Sequence, residues 1–190
     1  MKRLISLLAG ATIAMMIMTP RAHASLLLEP YLGYYTGSVT CCSPSLSRNQ
    51  NGVAYGARVG YENLGFMIGL DAMTGNWSVA SGGGQDSGST TPTDLGIFVG
   101  YNFPVMVRIY GEYGFSAQNK YTIDGYSTTD KGTNIKLGVG FTVYPMVSIN
   151  LEYISDTYTK YSDSTSSGNN SPNITDAMYG LSISVPLTFF

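Results

Sequence analysis

Residues 95–101 have the sequence LGIFVGY, in which a large apolar side chain stands at every second position from Leu95 to Tyr101. This alternation has the two-residue period of a β-strand with one apolar face, and it does not fit the period of a helix. The same pattern occurs in seven further segments, at residues 28–35, 53–61, 66–73, 105–114, 135–141, 147–153 and 180–189. The chain is therefore predicted to be all-β, with eight strands.

An internal repeat of 40 residues links these segments, since Val-Gly followed by an aromatic residue occurs at 59–61, 99–101 and 139–141. A unit of this length is a hairpin plus its connection, so the chain divides into four hairpins. Short connections (62–65, 102–104 and 144–146) alternate with long Ser-, Gly-, Thr- and Asn-rich ones (38–51, 74–92, 116–132 and 157–174). This pattern is typical of an antiparallel transmembrane β-barrel with short periplasmic turns and long extracellular loops.

The N-terminal residues predict export. Basic residues at positions 2 and 3 precede a mostly apolar run, and residues 22–24 (AHA) have the small-x-small pattern read by signal peptidase. We predict cleavage between Ala24 and Ser25, which separates a signal peptide (1–24) from a barrel domain (25–190); an N-terminal membrane anchor is the alternative. No later apolar run approaches the ~20 residues of a spanning helix, so a membrane role requires strands closed into a barrel.

Composition excludes several classes of function. The net charge is -2 without a Lys/Arg cluster, which argues against a nucleic-acid partner, and two cysteines cannot staple 190 residues. The only histidine, His23, falls in the predicted signal peptide, so the mature chain has no Ser-His or Asp-His mechanism. Neither metal-ligand spacing nor a phosphate-binding glycine loop is present. We predict no enzyme activity, no metal and no cofactor.

The polar face of the predicted strands is rich in glycine, whereas a face in contact with water would favour Lys, Glu and Thr. Glycine suits the narrow lumen of an eight-stranded barrel, so we place this face inside and the apolar face in lipid. A cation facing mid-bilayer lipid costs ~2–4 kcal/mol, and an unpaired buried charge costs several kcal/mol. We therefore predict an interior network of salt bridges among Glu29, Arg58, Asp71, Arg108, Glu112, Lys136 and Glu152. The network either plugs the barrel, which we favour, or lines a polar pathway.

Aromatic residues are expected to form two belts at the membrane interfaces. Tyr34, Tyr55, Tyr113, Tyr153 and Tyr179 lie near the long loops, and Tyr61, Phe66, Tyr101, Phe103, Tyr144 and Phe189 lie near the short turns. In the first long loop, Cys41 and Cys42 are adjacent. In the oxidising envelope they could form a vicinal disulfide with each other or an intermolecular bridge, or they could remain free thiols in the loop.

The signal peptide, the opening strand at 26–36, the V-G-aromatic strands and the terminal Phe190 resemble the small eight-stranded outer-membrane proteins of Gram-negative bacteria, such as OmpX and the barrel domain of OmpA. The resemblance implies an up-and-down barrel in the cell outer membrane, with an interior Glu/Arg/Lys cluster. It also implies insertion by the outer-membrane assembly machinery, which recognises the last strand. Here Phe189, and not Phe190, is in phase with the lipid-facing residues, and a bulge near Pro186 could restore the phase of Phe190.

We therefore expect a monomeric, non-enzymatic protein in contact with outer-membrane lipids, with an envelope-structural or surface-interaction role through its loops. The sequence does not identify the loop ligand. The alternative is a narrow pore or transporter for small or hydrophobic solutes, as in the OmpW-like group. A closed ion-pair layer at mid-height would favour the plug, whereas a continuous wet lumen or a gap in the wall would favour the pore. A soluble periplasmic binding barrel is the third possibility.

Overall fold

The computed structural model describes residues 25–41, 46–82, 86–123, 126–144 and 146–189. These ranges form nine β-strands in one antiparallel sheet: β1 Ser25–Thr40, β2 Ser47–Asn63, β3 Phe66–Val79, β4 Gly88–Asn102, β5 Val107–Ile123, β6 Tyr126–Tyr144, β7 Val147–Ser162, β8 Ser167–Ser184 and β9 Leu187–Phe189. Within the described ranges, no helix has the length and hydropathy needed to cross a bilayer.

Each strand from β1 to β8 pairs with its neighbour in sequence, and β1 closes the ring by pairing with both β2 and β8. The short strand β9 pairs with β1. Following the register from Glu29 around the ring leads back to β1 at Val39, ten residues further along. Such a stagger is the geometry of tilted strands in a closed barrel. The fold predicted from the alternation, an eight-stranded antiparallel barrel, is confirmed, with β8 and β9 as two parts of the eighth strand.

The interruption between β8 and β9 lies at Val185 and Pro186, the place at which the sequence analysis allows a phase-shifting bulge. The register across it is unchanged, because Tyr31 pairs with Ser184 and Leu26 pairs with Phe189. The backbone N–H of Val185 still donates to the carbonyl of Pro30 at 3.0 Å. Phe189 therefore keeps the lipid-facing phase, whereas Phe190 lies outside the described residues.

The strands extend further toward the loop end than the sequence predicted. The segments assigned to long loops, 38–51, 74–92, 116–132 and 157–174, each contain strand residues at both of their ends. Polar alternation replaces apolar alternation there, as in β4, where Ser89, Thr91 and Thr93 face outward. Backbone pairing continues past the apolar band, and hydrophobic periodicity does not report it. At the opposite end, Leu64 and Gly65 form the β2–β3 turn, both with positive φ, a conformation that glycine adopts without steric cost.

Candidate functional site in the barrel interior

The interior holds all seven charged residues of the predicted network, and each is at most 5% exposed. They come from six strands and occupy inward positions, which in every strand but β7 are in phase with inner glycines. Large apolar side chains occupy the outward positions. We call this group the ion-pair layer: Glu29, Arg58, Asp71, Arg108, Glu112, Lys136 and Glu152.

Arg58 lies at the centre of the ion-pair layer and contacts three carboxylates. Its Nη1 is 3.2 Å from Glu29 Oε1, and its Nε is 3.2 Å from Asp71 Oδ2. Its Nη2 is 2.6 Å from Glu152 Oε1. The three acids belong to β1, β3 and β7, so a single guanidinium joins three other strands across the lumen.

Arg108 and Lys136 complete the layer on either side of Arg58. Arg108 Nη1 donates to Glu29 Oε2 at 2.8 Å, and its Nη2 donates to Asn150 Oδ1 at 2.7 Å. Lys136 Nζ lies 2.9 Å from Asp71 Oδ2 and 2.9 Å from Glu112 Oε2. Each of the four carboxylates thus contacts a cation, the arrangement that offsets the cost of burying charge.

Three buried tyrosines, Tyr31, Tyr35 and Tyr110, fill the space between the ions. The guanidinium of Arg58 lies 4.6 Å from the ring centroid of Tyr31 and 4.3 Å from that of Tyr110, within cation–π range. The hydroxyls donate to carboxylates of the layer, Tyr31 to Asp71 and both Tyr35 and Tyr110 to Glu152. These rings share the inward phase of Glu29 and Arg108, and the sequence analysis assigned them no role.

Glycine stands directly across the ladder from each of these tyrosines, in the pairs Tyr31–Gly56, Tyr110–Gly138 and Tyr35–Gly180. A Cβ atom at Gly138 would lie 2.1 Å from Tyr110 Cζ, and one at Gly180 would lie 2.2 Å from Tyr35 Cε1. Real carbon contacts are about 3.5–4.0 Å, so the tyrosine ring occupies the place of the missing side chain. The glycine-rich inner face therefore makes room for the rings that bind the acids.

We expect Gly138→Ala to destabilise the barrel by about 1–3 kcal/mol, the usual cost of overpacking, because the new methyl group must displace Tyr110. The free energy of unfolding, measured by urea titration in lipid vesicles, checks this. Gly111→Ala is the matched control, since Gly111 is on β5 opposite Leu137 and its added Cβ would meet no atom closer than 3.5 Å. Equal effects of the two variants would contradict the proposed role of the glycine.

Four further aspartates point inward on the loop side of the ion-pair layer, and each is at most 4% exposed. Among the described residues, they form no ion pair with lysine or arginine. We call them, with the buried amides between them, the acid layer: Asp94, Asp130, Asp156 and Asp176, with Gln50, Asn119 and Asn134. The interior network predicted from the sequence did not include these four acids.

Nearly the whole chain matches a known protein family. Residues 9–188 match the model of the outer membrane protein β-barrel domain. The chain belongs to this family. Among solved structures, Ail of Yersinia pestis, in complex with the heparin analogue sucrose octasulfate, has the same fold, with a TM-score of 0.58 at 13% identity over 85% of this chain and 99% of that one. Neisserial surface protein A has a TM-score of 0.53 at 12% identity over 86% and 98%.

A search of curated protein sequences finds no significant match. The similar solved structures establish the fold. Membership of the family establishes that the protein lies in the outer membrane. The resemblance to small eight-stranded barrels that the sequence suggested is confirmed. A soluble periplasmic barrel, the third possibility, is excluded by the same findings.

The outer surface of this outer membrane β-barrel protein carries the two predicted aromatic belts. Ring pairs lie within them, since Phe66 and Tyr101 have centroids 4.7 Å apart and Tyr153 and Tyr179 have centroids 5.1 Å apart. Such contacts account for Tyr101 and Tyr153 being only partly exposed. Amphipathic rings at these levels anchor a barrel at the two membrane interfaces.

The remaining predicted site residues lie at the edges of what the structure describes. Ser25 opens β1, whereas Ala24 lies outside the described residues, so the cleavage site stays a prediction. Cys41 forms a disulfide. Cys42 lies outside the described residues, so the vicinal bridge also stays a prediction.

Proposed function

We propose that this protein is a non-enzymatic outer-membrane barrel with a plugged interior, and that it has a structural or surface-interaction role in the envelope through its extracellular loops. The observation that carries the proposal is the ion-pair layer. Its seven charged side chains and three tyrosines fill the lumen at the level of the lipid-facing apolar residues. Opening a path would mean separating several buried ion pairs, each of which costs ~3–5 kcal/mol when one partner is removed.

The wall of the barrel also supports a plug. A groove of about 840 Å³ lies on its outer side around Gly111, where the absent side chain leaves a dent between Val99 and Leu137. The ladder is continuous through this point, because Gly111 pairs with Val99 on β4 and with Leu137 on β6. The lining of the groove combines lipid-facing residues with the inward-facing Tyr110, Gly138 and Glu152, and the groove interrupts none of the pairings among the described strands.

The alternative function, a narrow pore or transporter, would draw on the acid layer, since buried carboxylates attract cations toward the lumen. It requires the ion-pair layer to rearrange.

We further propose that the protein is a monomer surrounded by outer-membrane lipid, and that the assembly machinery inserts it through its last strand, which includes β9 and ends at Phe190. Pairing of β9 with β1 supports this role, because that contact closes the turn end of the barrel.

Conductance of the purified protein in a planar bilayer distinguishes plug from pore. We expect no steady single-channel current in symmetric potassium chloride at moderate voltage, because the ion-pair layer blocks the lumen. A heat-dependent shift of mobility in SDS electrophoresis verifies that the purified protein added to the bilayer is folded. A stable ohmic current from correctly folded protein would overturn the plug and establish the pore.

A further inference from the structure

A cavity of about 290 Å³, here called the vestibule, lies at the loop end of the barrel interior. Part of its wall is apolar, formed by Val39, Leu46 and Ile174, and the ring of Tyr161 adds an aromatic surface. The polar part of the wall includes Asp130, Tyr121 and Asn170. A few polar groups in an apolar cavity are what a small-molecule site requires.

The vestibule has an acidic polar wall. Asp130 is 4% exposed, and its Oδ1 accepts a hydrogen bond from Asn170 Nδ2 at 3.2 Å, while its Oδ2 accepts none from the described residues. Tyr121 has a buried hydroxyl with no hydrogen-bond partner in the part of the chain that the structure describes. The wall therefore contains a carboxylate with one oxygen that accepts no hydrogen bond from the described residues, and near it a buried hydroxyl without a partner among them.

The other three aspartates of the acid layer, Asp94, Asp156 and Asp176, lie directly beneath the vestibule. Asp156 and Asp176 stand opposite each other on β7 and β8, and like charges in that position repel. Asp176 Oδ2 accepts from Gln50 Nε2 at 3.0 Å, but its Oδ1 and Asp156 Oδ1 are buried without a partner among the described residues. The outward neighbours of Asp156 are Ser155 and Thr157, and Thr175 precedes Asp176, so these two aspartates lie on the loop side of the apolar band.

Arg48 is the one basic residue in the described lining of the vestibule. Its Nε donates to the carbonyl of Ala80 at 2.9 Å, and its Nη2 donates to the carbonyl of Asp86 at 2.7 Å. The guanidinium is thus engaged with the backbone between β3 and β4. The acids of the vestibule and the acid layer outnumber it by four to one.

We propose that the vestibule binds a small organic cation, an ammonium group carried on an apolar or aromatic body. The ammonium group donates to Asp130 and Tyr121, and the apolar body packs against Val39, Ile174 and the ring of Tyr161. A carboxylate that accepts from an ammonium group forms the stronger, charge-assisted type of hydrogen bond. No group of three or more His, Cys, Asp or Glu side chains within the described ranges is placed to hold a metal ion, and apolar walls suit an organic cation better. The site goes beyond the proposed function and does not depend on the plug.

Benzylamine is the probe, titrated by calorimetry into the full-length folded protein in neutral maltoside micelles, with empty micelles as the blank. Benzyl alcohol and benzoate have the same ring with no charge and with a negative charge. We expect saturable binding of benzylamine, with a Kd at least about tenfold lower than that of either analogue, because charge-assisted hydrogen bonds have about twice the strength of neutral ones. Trp77, the only tryptophan, lies inside the barrel two strands from Tyr121 and gives an independent fluorescence signal.

Asp130→Asn and Tyr121→Phe test the assignment, and both are expected to weaken binding, the first by about tenfold or more. Asp163→Asn is the matched control. Asp163 is an exposed acid on the β7–β8 connection, and hydrogen bonds from the backbone N–H groups of Thr165 and Ser166 lower its pKa to about 2. It is therefore charged at working pH, and its loss should leave Kd unchanged.

Four results would overturn the proposal: equal binding of benzyl alcohol, preference for benzoate, no saturable binding to folded protein, or an unchanged Kd in Asp130→Asn. Competition by millimolar calcium alone would assign the acids to a metal ion instead. Heat-dependent mobility in SDS, measured for every variant, separates loss of the site from loss of the fold. The plug is tested separately by conductance, so failure of either proposal leaves the other standing.

Discussion

Replacing Arg58 with methionine is expected to cost about 3–5 kcal/mol of stability, the range for removing one partner of a buried ion pair. Arg58 contacts three acids, and it is the only cation within 4.0 Å of Glu152 among the described residues. Without it, the carboxylate of Glu152 stays buried with only the hydroxyls of Tyr35 and Tyr110 as donors. The variant should unfold at lower urea concentration in lipid vesicles and lose part of its resistance to SDS.

The matched control is Lys131→Met, which removes a cation from an exposed position on β6 and should change stability by less than about 0.5 kcal/mol. Adding Glu152→Gln to Arg58→Met should recover part of the loss, because it removes the unpaired charge that the first substitution leaves. If Arg58→Met proved as stable as the control, the ion-pair layer would contribute nothing to folding, and the case for a plug would weaken with it.

Arginine in place of Leu70 should also destabilise the barrel, by about 2–4 kcal/mol, as expected for a cation at the bilayer midplane. Leu70 is 51% exposed on the outer face of β3, with the apolar side chains of Val59 and Ile97 opposite it on the neighbouring strands. The comparison is Asn76→Arg, on the same face of the same strand beyond the apolar band, where a cost of about 0–1 kcal/mol is expected.

Unfolding of both variants in phospholipid vesicles gives the two free energies. A difference of at least about 2 kcal/mol between them places Leu70 in hydrocarbon. Similar stabilities would mean that Leu70 faces water or headgroups, and the position of the membrane band on the barrel would have to be revised.

The sequence predicted the barrel well because apolar alternation is strong wherever a strand crosses lipid. The inward phase of Glu29, Arg58 and Lys136 follows from the same alternation and from the cost of a charge in hydrocarbon. Which acid pairs with which base does not follow from it, since that depends on register and stagger around a closed ring. The register irregularity between Gly114 and Ala117 also shifts the inward phase of β5, from even-numbered to odd-numbered residues.

The acid layer was missed for a different reason. Asp130 lies inside a segment assigned to a loop, and Asp94, Asp156 and Asp176 lie within two residues of such segments. Once the apolar side chains end, a polar strand and a polar loop have similar composition. The sequence nonetheless contains a signal that two of these acids face inward. Asp156 is four residues from Glu152 and Asp94 is two residues from Gly96, so each shares the inward phase of its strand.

The tyrosine–glycine pairs bear on how the sequences of such barrels diverge. We expect the summed volume of a pair across the ladder to be the quantity that related barrels hold constant, because either strand can supply the larger side chain. We therefore expect related barrels to exchange tyrosine and glycine between the positions of Tyr110 and Gly138 in concert. A position-by-position comparison counts each exchange as two mismatches although the interior is equally well filled, so relatives of this chain should be recognised better by correlated pairs than by identity.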